Sequence, residues 1–427
     1  MITDSAPARP SIAVIGSGIA GLTVAHGLHA NHSVTVYEAS PWVGGHTHTV
    51  DVEEEPDPVA IDTGFIVCND WTYPEFLGLL ARLGVATQPS HMSFSLQNER
   101  TGLEYNGTSL NALFAQRRNL LSPSFLAMLR DILRFNRAAP RFLMSGDEHT
   151  SLGDWLRAHH YGLAFIEHYI VPLGRSIWSQ GYNAILACPA YFFIDFFKRH
   201  GFLTINRRPQ WRTVQGGSRE YVRALCAPFK DRIHTNTPVI SIERQAQQVH
   251  IQTASGKTHV HDAVVIACHA DTALQLLKDP SPKETSILSA FPFQANEAVL
   301  HTDTRLLPRT PLARAAWNYH LRTDDVLGCA ITYDMNVLQS LHTRQHYLLS
   351  LNMTECIDEN KIIGAYTYDH PVYTPAGVAA QKRHAEISGD RQTFYCGAYW
   401  RYGFHEDGVV SGLTVLRQID QWLGRHA

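Results

Sequence analysis

The apolar positions near the start of the chain change their spacing twice. Residues 12–15 (IAVI) form an uninterrupted apolar run, which predicts a buried strand. A glycine-rich turn follows, then apolar residues at helical spacing over residues 22–30, and then residues 34–37 (VTVY), which predict a second strand. This strand, turn, helix and strand, within roughly 30 residues, is typical of a βαβ unit.

The remainder of the chain divides into regions of different spacing. Residues 74–200 are predicted to be mostly helical, because their apolar residues recur every three or four positions. From residue 237 the spacing changes to that of an antiparallel meander ending in a buried strand. Residues 290–390 mix strand-like and irregular stretches, and residues 394–427 repeat the order of strand, glycine turn and amphipathic helix.

Elements of a nucleotide-binding fold therefore stand at the beginning, after the middle and at the end of the chain. This interleaving predicts an α/β protein with a Rossmann-like dinucleotide-binding domain and an α+β substrate domain, which combines a helical insert with a mixed sheet. The expected segments are 1–73, 205–288 and 390–427 for the first domain, and 74–204 and 289–389 for the second.

Composition narrows the function classes. The 427 residues are 44% hydrophobic and 18% charged, as in an ordinary globular protein, and the net charge of -3 argues against a nucleic-acid binder. The seven cysteines are scattered and include no CxxC pair, which argues against a zinc ribbon or a disulfide framework and favours a reducing cytoplasm. No apolar run reaches the roughly 18 residues needed to span a bilayer. We expect a cytoplasmic protein without a metal site.

Residues 16–21 (GSGIAG) form a GxGxxG motif between the first predicted strand and the first helix. Glycine is needed here because the turn is tight and a pyrophosphate approaches the backbone at the helix N-terminus, where free N–H groups favour anions. Glu38 ends the second strand about 20 residues later, where an acid accepts hydrogen bonds from ribose hydroxyls. We therefore predict a dinucleotide site that includes Gly16, Ser17, Gly18, Gly21 and Glu38.

Two further glycine segments favour FAD over NAD as the dinucleotide. Residues 41–47 (PWVGGHT) place a double glycine just beyond Glu38, where it brings backbone under a cofactor that extends past its pyrophosphate. Residues 403–408 (GFHEDG) precede the last helix, whose N-terminus is suited to stabilise negative charge on a reduced flavin. Together with the interleaved domains, these segments predict an FAD protein.

Six segments carry a resemblance to known flavoproteins: PWVGGHTHTV (41–50), DTGFIVCNDWTYPEF (62–76), HMSFSL (91–96), RPQWRTVQGGSREYV (208–222), ITYDMNVLQSL (331–341) and YCGAYWRYGFHEDG (395–408). Through them the chain resembles the FAD-dependent amine oxidase, phytoene desaturase and protoporphyrinogen oxidase superfamily, which implies a glutathione-reductase-like fold of the amine oxidase type. It is most similar to bacterial amine-oxidase-like flavoproteins, commonly encoded beside cyclopropane-fatty-acid-synthase-like methyltransferases. It is also similar to the FAD-binding oxidase domain of plant cyclopropane fatty acid synthases.

The resemblance implies FAD contacts along the whole chain. The double glycine and its neighbours would lie near the pyrophosphate and ribityl chain, and His46 stands where many members have arginine. Cys396 looks like a strand-end residue rather than a flavin attachment point, so we expect non-covalent FAD. The implied cofactor residues are Gly16, Ser17, Gly18, Gly21, Glu38, Gly44, Gly45, His46, Thr47, Gly64, Phe65, Val239, Gly397, Phe404, Asp407, Gly408 and Val409.

The catalytic candidates are aromatic and polar residues, because flavin chemistry asks the protein mainly to position the substrate and exclude water. The candidates are His405, Tyr319, Tyr399 and Trp400. Each has the alternative interpretation of a packed core residue, and His405 is in addition a candidate general base. The catalytic residues otherwise stay unassigned.

Three functions are open. The resemblance implies dehydrogenation, or a related redox step, on a long methylated or cyclopropanated fatty acyl chain, with a methyltransferase as partner. The alternative is a flavin amine oxidase. Such enzymes generally place a lysine on a substrate-domain strand, but no lysine lies between Lys283 and Lys361, and residues 296–298 (NEA) occupy the expected place. A further alternative is a non-catalytic lipid escort protein.

The segment of residues 115–141 combines arginines with apolar residues. Its arginines are Arg117, Arg118, Arg130, Arg134, Arg137 and Arg141, against the single acid Asp131. Such a pattern is suited to peripheral contact with an anionic membrane surface. The alternative is a helix of the substrate domain with a solvated basic face.

Overall fold

The computed structural model describes residues 9–323 and 329–426, so residues 1–8, 324–328 and 427 of the predicted domain segments lie outside it. The described strands are β1 (Ser11–Ile15), β2 (Ser33–Tyr37), β3 (Thr49–Val52), β4 (Val59–Asp62), β5 (Cys68–Asn69), β6 (Thr87–Ser90), β7 (Phe94–Asn98), β8 (Leu103–Asn106), β9 (Trp211–Val214), β10 (Ile233–His234), β11 (Val239–Gln245), β12 (Gln248–Thr253), β13 (Thr258–His261), β14 (Ala263–Ile266), β15 (Phe293–His301), β16 (Trp317–Leu321), β17 (Ile331–Asp334), β18 (Leu348–Leu351), β19 (Ile362–Pro371) and β20 (Thr393–Tyr395).

The described helices follow the same chain order. They are α1 (Ile19–Leu28), α2 (Pro74–Leu83), α3 (Leu110–Leu113), α4 (Pro123–Ser145), α5 (Leu152–Ala158), α6 (Leu163–Phe165), α7 (Val171–Trp178), α8 (Tyr182–Ala187), α9 (Ala190–Arg199), α10 (Arg219–Cys226), α11 (Ala270–Leu276), α12 (Pro282–Leu288), α13 (Met335–Leu338), α14 (Pro375–Gln381) and α15 (His405–His426).

Five described strands form a parallel sheet in the order β10-β2-β1-β14-β20, which we call the nucleotide sheet. Alternate residues of β1 face opposite sides: Val14 packs toward α1 and α15, whereas Ala13 packs toward the antiparallel sheet β11-β12-β13. Both faces are therefore covered, which explains the uninterrupted apolar run in β1. The predicted βαβ unit at the start of the chain is present.

Seven described strands form a second sheet in the order β19-β15-β18-β17-β16-β7-β8, which we call the substrate sheet. Its described pairs are antiparallel except β16 with β7, which are parallel. Helices of the 123–199 region pack together with this sheet in one hydrophobic cluster, to which Phe135, Trp155 and Phe193 belong. The mixed sheet and the helical insert thus share a core.

The prediction of a mostly helical region over residues 74–200 is confirmed, except that residues 87–106 form strands. β6, β7 and β8 lie there, and β7 pairs in parallel with β16, more than two hundred residues further along the chain. Such a distant partner leaves no mark on local spacing. The domain boundary also differs from the expected one at residue 73. Phe76 and Leu79 of α2 lie beyond it in sequence but pack in the hydrophobic cluster of the nucleotide sheet.

The arginine-rich segment falls largely on α4, and its arginines differ in their contacts. Arg134 forms an ion pair with the buried Asp131 at 2.9 Å, and its guanidinium lies 4.2 Å from the centre of the Tyr161 ring. Arg130 lies farther from Asp131, at 3.6 Å, and has 72% of its side chain exposed; Arg137 is also exposed. Among the described helices, none combines the length and apolar character that crossing a bilayer requires.

Candidate active site

A cavity of about 460 Å³ lies between the two sheets. On one side it is lined by the residues that follow β1 and β14, at the carboxyl ends of parallel strands, where ligands bind in open α/β sheets. On the other side Trp317, Tyr333 and Leu349 of the substrate sheet form its wall. Its volume is within the range of small-molecule sites.

The glycine turn after β1 has the geometry that the sequence predicted. Gly16 has a φ of +102°, in the region that favours glycine, and a Cβ at Gly21 would lie 2.2 Å from the Gly16 carbonyl oxygen. A Cβ at Gly18 would meet nothing within 4 Å, since that residue faces the cavity. The turn thus requires glycine at two positions and presents open backbone at the third, as a pyrophosphate needs.

Glu38 is buried at the edge of the same turn. Its Oε2 accepts hydrogen bonds from the Ser17 backbone N–H at 2.8 Å and the Ser17 hydroxyl at 2.5 Å, and its Oε1 accepts one from the Ser40 N–H at 2.8 Å. These contacts fix a carboxylate in the cavity wall, which fits the ribose-binding role predicted for this residue.

The double glycine lies directly against the first glycine turn. Gly44 and Gly18 form an isolated parallel bridge, and the Gly44 N–H donates to the Ser17 hydroxyl oxygen at 3.3 Å. A Cβ on Gly45, whose φ is +60°, would lie 3.1 Å from the Cα of Gly18. The glycine turn after β1 and the double glycine are separate in sequence, but their backbones together form one cradle.

Two helix N-termini meet at the cavity. α1 and α15 pack so closely that Gly408 and Gly412 of α15 have no room for a side chain. A Cβ on Gly408 would lie 2.6 Å from Ile19 Cγ2, and one on Gly412 would lie 2.8 Å from the Ala20 carbonyl oxygen. Ile19 and His405, the first residues of these helices, both line the cavity. Two positive dipole ends at one site fit an anionic dinucleotide whose flavin gains negative charge on reduction.

An orphaned polar atom in the wall also fits a bound cofactor or substrate. The Tyr373 hydroxyl is buried beside the cavity and has no hydrogen-bond partner among the described residues. Buried polar groups are nearly always paired, so a ligand is the expected partner. The cradle, the carboxylate, the paired helix ends and this hydroxyl together fit FAD.

Histidines are prominent in the wall. His405 stacks on Phe65 with ring centres 3.6 Å apart, and its Nε2 lies 3.0 Å from the Thr47 hydroxyl oxygen and 3.1 Å from that of Tyr221. Burial lowers the pKa of His405 to about 3, so the ring is neutral and a weak base at physiological pH. This geometry favours a positioning role over the predicted alternative of a general base.

His46 lies among other rings in the same wall. Its ring centre is 5.2 Å from that of Tyr368 and 5.6 Å from that of His370, to which it is nearly parallel. Burial, together with neighbouring histidines, lowers the pKa of His46 well below its ordinary value. At this position the protein therefore has a neutral group before ligand binding, where many superfamily members have a permanent arginine cation.

The structure separates the predicted site residues into those that line the cavity and those that support it. In the wall lie Gly16, Ser17, Gly18, Glu38, Gly44, Gly45, His46, Gly64, Phe65, Gly397, Tyr399, Phe404 and His405. Outside it lie Gly21, Thr47, Val239, Asp407, Gly408, Val409, Tyr319 and Trp400. Among the latter, Asp407 closes the loop before α15 by accepting the Phe404 N–H at 3.0 Å, and burial raises its pKa to about 6.

Two of the four catalytic candidates therefore lie outside the cavity wall. Tyr319 is 1% exposed within the core under the substrate sheet. Trp400 packs against Phe291, with ring centres 5.1 Å apart, and against His384 at 4.6 Å. For both residues the core interpretation describes the observed packing.

Sequence reasoning missed several wall residues of the substrate half. They are Trp178, Trp211, Leu349, Leu351, Tyr368 and His370. The alternation of Tyr366, Tyr368 and His370 along β19 was a signal that could have found two of them, because alternate residues share one face of a strand. The remaining missed residues have no local sequence pattern that indicates a position in the cavity wall.

Lysine and arginine do not occur among the described residues that line this cavity. Residues 296–298, where an amine-oxidising lysine was expected from the resemblance, lie outside the wall, and Asn296 is 1% exposed. Its Oδ1 accepts a hydrogen bond from the Asn352 side chain at 2.9 Å. The acids in the wall are Glu38, at the nucleotide end, and Asp369.

Comparison with known proteins identifies this arrangement. The model of a family described as flavin containing amine oxidoreductase matches residues 19–327. The chain belongs to this family. It is an FAD-dependent oxidoreductase, and the lipid-escort alternative is not retained. Among curated proteins, no match is found.

Solved structures share the fold over nearly the whole chain. Cyclohexylamine oxidase from Brevibacterium oxydans is 14% identical with a TM-score of 0.72, over 97% of this chain and 100% of that one. A fatty acid isomerase from P. acnes that produces CLA is 16% identical with a TM-score of 0.69, over 96% and 98%. A putrescine oxidase bound to putrescine is 14% identical with a TM-score of 0.67, over 96% and 99%. At these identities the likeness concerns the fold.

Proposed function

We propose that this FAD-dependent oxidoreductase acts on a long fatty acyl chain, methylated or cyclopropanated, by dehydrogenation or a related redox step. The observation that carries the proposal is the substrate side of the cavity, where the wall includes Trp178, Trp317, Leu349 and Leu351 beside tyrosines and His370, and no described lysine or arginine takes part. A small polar substrate needs charged or hydrogen-bonding anchors, whereas an alkyl chain needs apolar walls.

The role of the protein in such a reaction is to align the chain and to keep water out. FAD, when bound, supplies a two-electron acceptor that can take a hydride from a C–H bond. An unactivated C–H bond has no acidic proton, so alignment and a dry site matter more than a strong base. The neutral His405, stacked on Phe65, fits such a site because it adds no charge to it.

The choice of a modified acyl chain comes from the resemblance to flavoproteins associated with cyclopropane-forming methyltransferases. The P. acnes enzyme of the same fold is described as a fatty acid isomerase, so the fold accommodates an acyl substrate in that protein. Amine oxidation is the second candidate. It is favoured by Asp369 in the wall and by the aromatic rings near it, since both attract organic cations.

The experiment compares total membrane fatty acids by mass spectrometry in cells with and without the protein, each co-expressing the associated methyltransferase. The variant Gly21→Ala, which should not retain FAD, is the control for flavin dependence. We expect a chain species of changed hydrogen content only with the wild-type protein. Identical profiles, with no anaerobic bleaching of the flavin by lipid extract, would contradict the acyl substrate; bleaching by cyclohexylamine or putrescine would favour the amine.

A further inference from the structure

A second cavity, of about 270 Å³, adjoins the one described above. Trp211, the first residue of β9, lines both cavities, so they are neighbours on the two sides of one residue. The remaining walls of the second cavity come from residues 90–93, Thr108, residues 200–202 and residues 208–210. None of these residues belongs to the predicted cofactor set.

One wall of the second cavity carries a cation without a partner in the described part of the chain. The Arg208 side chain is exposed, lines the cavity and forms no described ion pair or hydrogen bond. The nearby Arg212 differs, because its guanidinium donates to the Thr87 hydroxyl oxygen at 2.7 Å and to the Thr87 carbonyl at 3.0 Å. Arg208 is thus available to an anionic ligand, and Arg212 is not.

A buried imidazole also lines this cavity. His200 is 8% exposed, stacks on Phe196 at 3.8 Å, and has its Nδ1 3.0 Å from the Phe196 carbonyl oxygen. The carbonyl can only accept, so Nδ1 carries the proton and Nε2 is left without a described partner beside the cavity. Nε2 is therefore a hydrogen-bond acceptor, which can receive a hydrogen bond from water or from a hydroxyl group of a ligand.

The other walls combine apolar side chains with the polar ones of Ser90, His91, Ser93, Thr108 and Gln210. Met92, Phe202 and Trp211 line the cavity, and Ile205, in the loop that precedes Arg208, is 67% exposed. A partly polar cavity with a cation in its wall, next to the cavity with apolar substrate walls on the other side of Trp211, matches an amphiphile at the junction of its head and its chain.

We propose that the second cavity binds the anionic head group of the acyl substrate, with Arg208 as counter-ion, while the chain passes Trp211 into the cavity beside the flavin site. The proposal rests on the proposed function and names its substrate class as an anionic amphiphile. The shared chemistry is a negatively charged oxygen group, which a free fatty acid supplies as carboxylate and a phospholipid as phosphate.

The test measures binding to the FAD-loaded protein by equilibrium dialysis, with dodecanoate, lauroyl lysophosphatidylglycerol and neutral dodecanol as probes. Arg208→Gln is compared with Arg207→Gln, which removes the adjacent exposed charge but does not touch the cavity. We expect the Kd of at least one anionic probe to rise tenfold or more in Arg208→Gln and to change less than twofold in Arg207→Gln, with dodecanol unaffected by either.

The anionic probe that shows this dependence on Arg208 identifies the source, acid or phospholipid. A flavin difference spectrum on binding of that probe is the second expected result, because the chain should reach the flavin-side cavity. Equal loss in both variants, equal loss for dodecanol, or no binding of either anionic probe would overturn the head-group site. Flavin bleaching by lipid without dependence on Arg208 would overturn the site alone, whereas dependence on Arg208 with unchanged membrane lipids would overturn the proposed reaction alone.

Discussion

The nucleotide sheet and the substrate sheet differ in the side chains that they bury: apolar ones in the first and a hydrogen-bonded polar ladder in the second. In the nucleotide sheet the central strands bury apolar side chains on both faces, and Val14 and Val265 are completely inaccessible. In the substrate sheet a polar ladder crosses four adjacent strands: His301 Nε2 lies 2.8 Å from the Ser350 hydroxyl, which lies 2.8 Å from that of Thr332, itself 3.0 Å from His320 Nε2.

The difference concerns what each region tolerates. An apolar sheet with a glycine turn depends on close backbone approach, so it is sensitive to single added atoms but indifferent to pH. A buried polar ladder depends on every member having a partner and on the neutral state of its histidines. We therefore expect an added side-chain atom to disrupt the nucleotide half, and protonation of the buried histidines to destabilise the substrate half.

The largest expected effect tests the nucleotide half. In Gly21→Ala the new Cβ would lie 2.2 Å from the Gly16 carbonyl oxygen, so the turn must open and the cradle is lost. We expect FAD affinity to fall at least about a hundredfold, as for loss of several charge-assisted hydrogen bonds. Flavin absorbance relative to protein absorbance after gel filtration measures it. Gly107→Ala, where a Cβ meets nothing within 4 Å, is the control and should retain FAD.

The second effect tests the substrate half through pH. Burial lowers the pKa of His301 and of His320 to about 4, below the ordinary value of 6.5. The unfolded chain then binds more protons than the folded one as pH falls from 6.5 toward 4, so acid removes stability in this window. At pH 5 the loss is about 2 kcal/mol for each histidine.

Urea unfolding at pH 7 and pH 5 measures this dependence. His320→Gln keeps a hydrogen-bonding group that does not titrate, so the loss of unfolding free energy on acidification should be smaller than in the wild type. His342→Gln, at an exposed position, should leave the dependence unchanged. Equal acid sensitivity in all three proteins would show that the ladder does not control it.

A smaller effect is expected at the nucleotide end from a change without steric consequence. Glu38→Gln keeps the size of the side chain but removes the charge that accepts hydrogen bonds from Ser17 and Ser40. Hydrogen bonds to charged groups are worth about 1.5–3 kcal/mol, so FAD affinity should fall by about tenfold to a hundredfold. Titration of the apoprotein with FAD by flavin fluorescence measures it. Unchanged affinity would remove Glu38 from the ribose contact.

The smallest effect concerns the outer face of the substrate half. The exposed Arg130 and Arg137, with Leu121 at 87% exposure nearby in sequence, form the part of the arginine segment available to an anionic membrane. Replacing both arginines by serine should weaken sedimentation with anionic vesicles at low salt by a few fold, at about 1 kcal/mol per charge before screening. Arg134 is excluded because its guanidinium pairs with Asp131 at 2.9 Å and also donates to the His160 carbonyl oxygen at 3.1 Å, whereas Arg130 lies 3.6 Å from Asp131 and is more exposed. Equal sedimentation of variant and wild type would identify a solvated face only.

The two halves also differ in how far their site residues were predictable. Gly16, Gly18 and Glu38 were found because a dinucleotide turn imposes fixed residue types at fixed short spacing. Tyr319 and Trp400 were proposed for the site on aromatic character alone, and packing places them outside the cavity wall, whereas Tyr368 and His370 went unnoticed. An aromatic residue has the same local pattern in a core and in a site.

What the sequence by itself determined is therefore local: the βαβ unit, the glycine turn, the ribose acid and the glycine loop before α15, each recognisable because its chemistry depends on neighbours within a few dozen residues. What only the tertiary structure decided is the meeting of distant segments. The pairing of β7 with β16, the contact of Gly408 with Ile19 and the position of Trp211 between two cavities join residues more than a hundred positions apart. Such contacts are chosen by burial and fit across the whole chain, which no local spacing encodes.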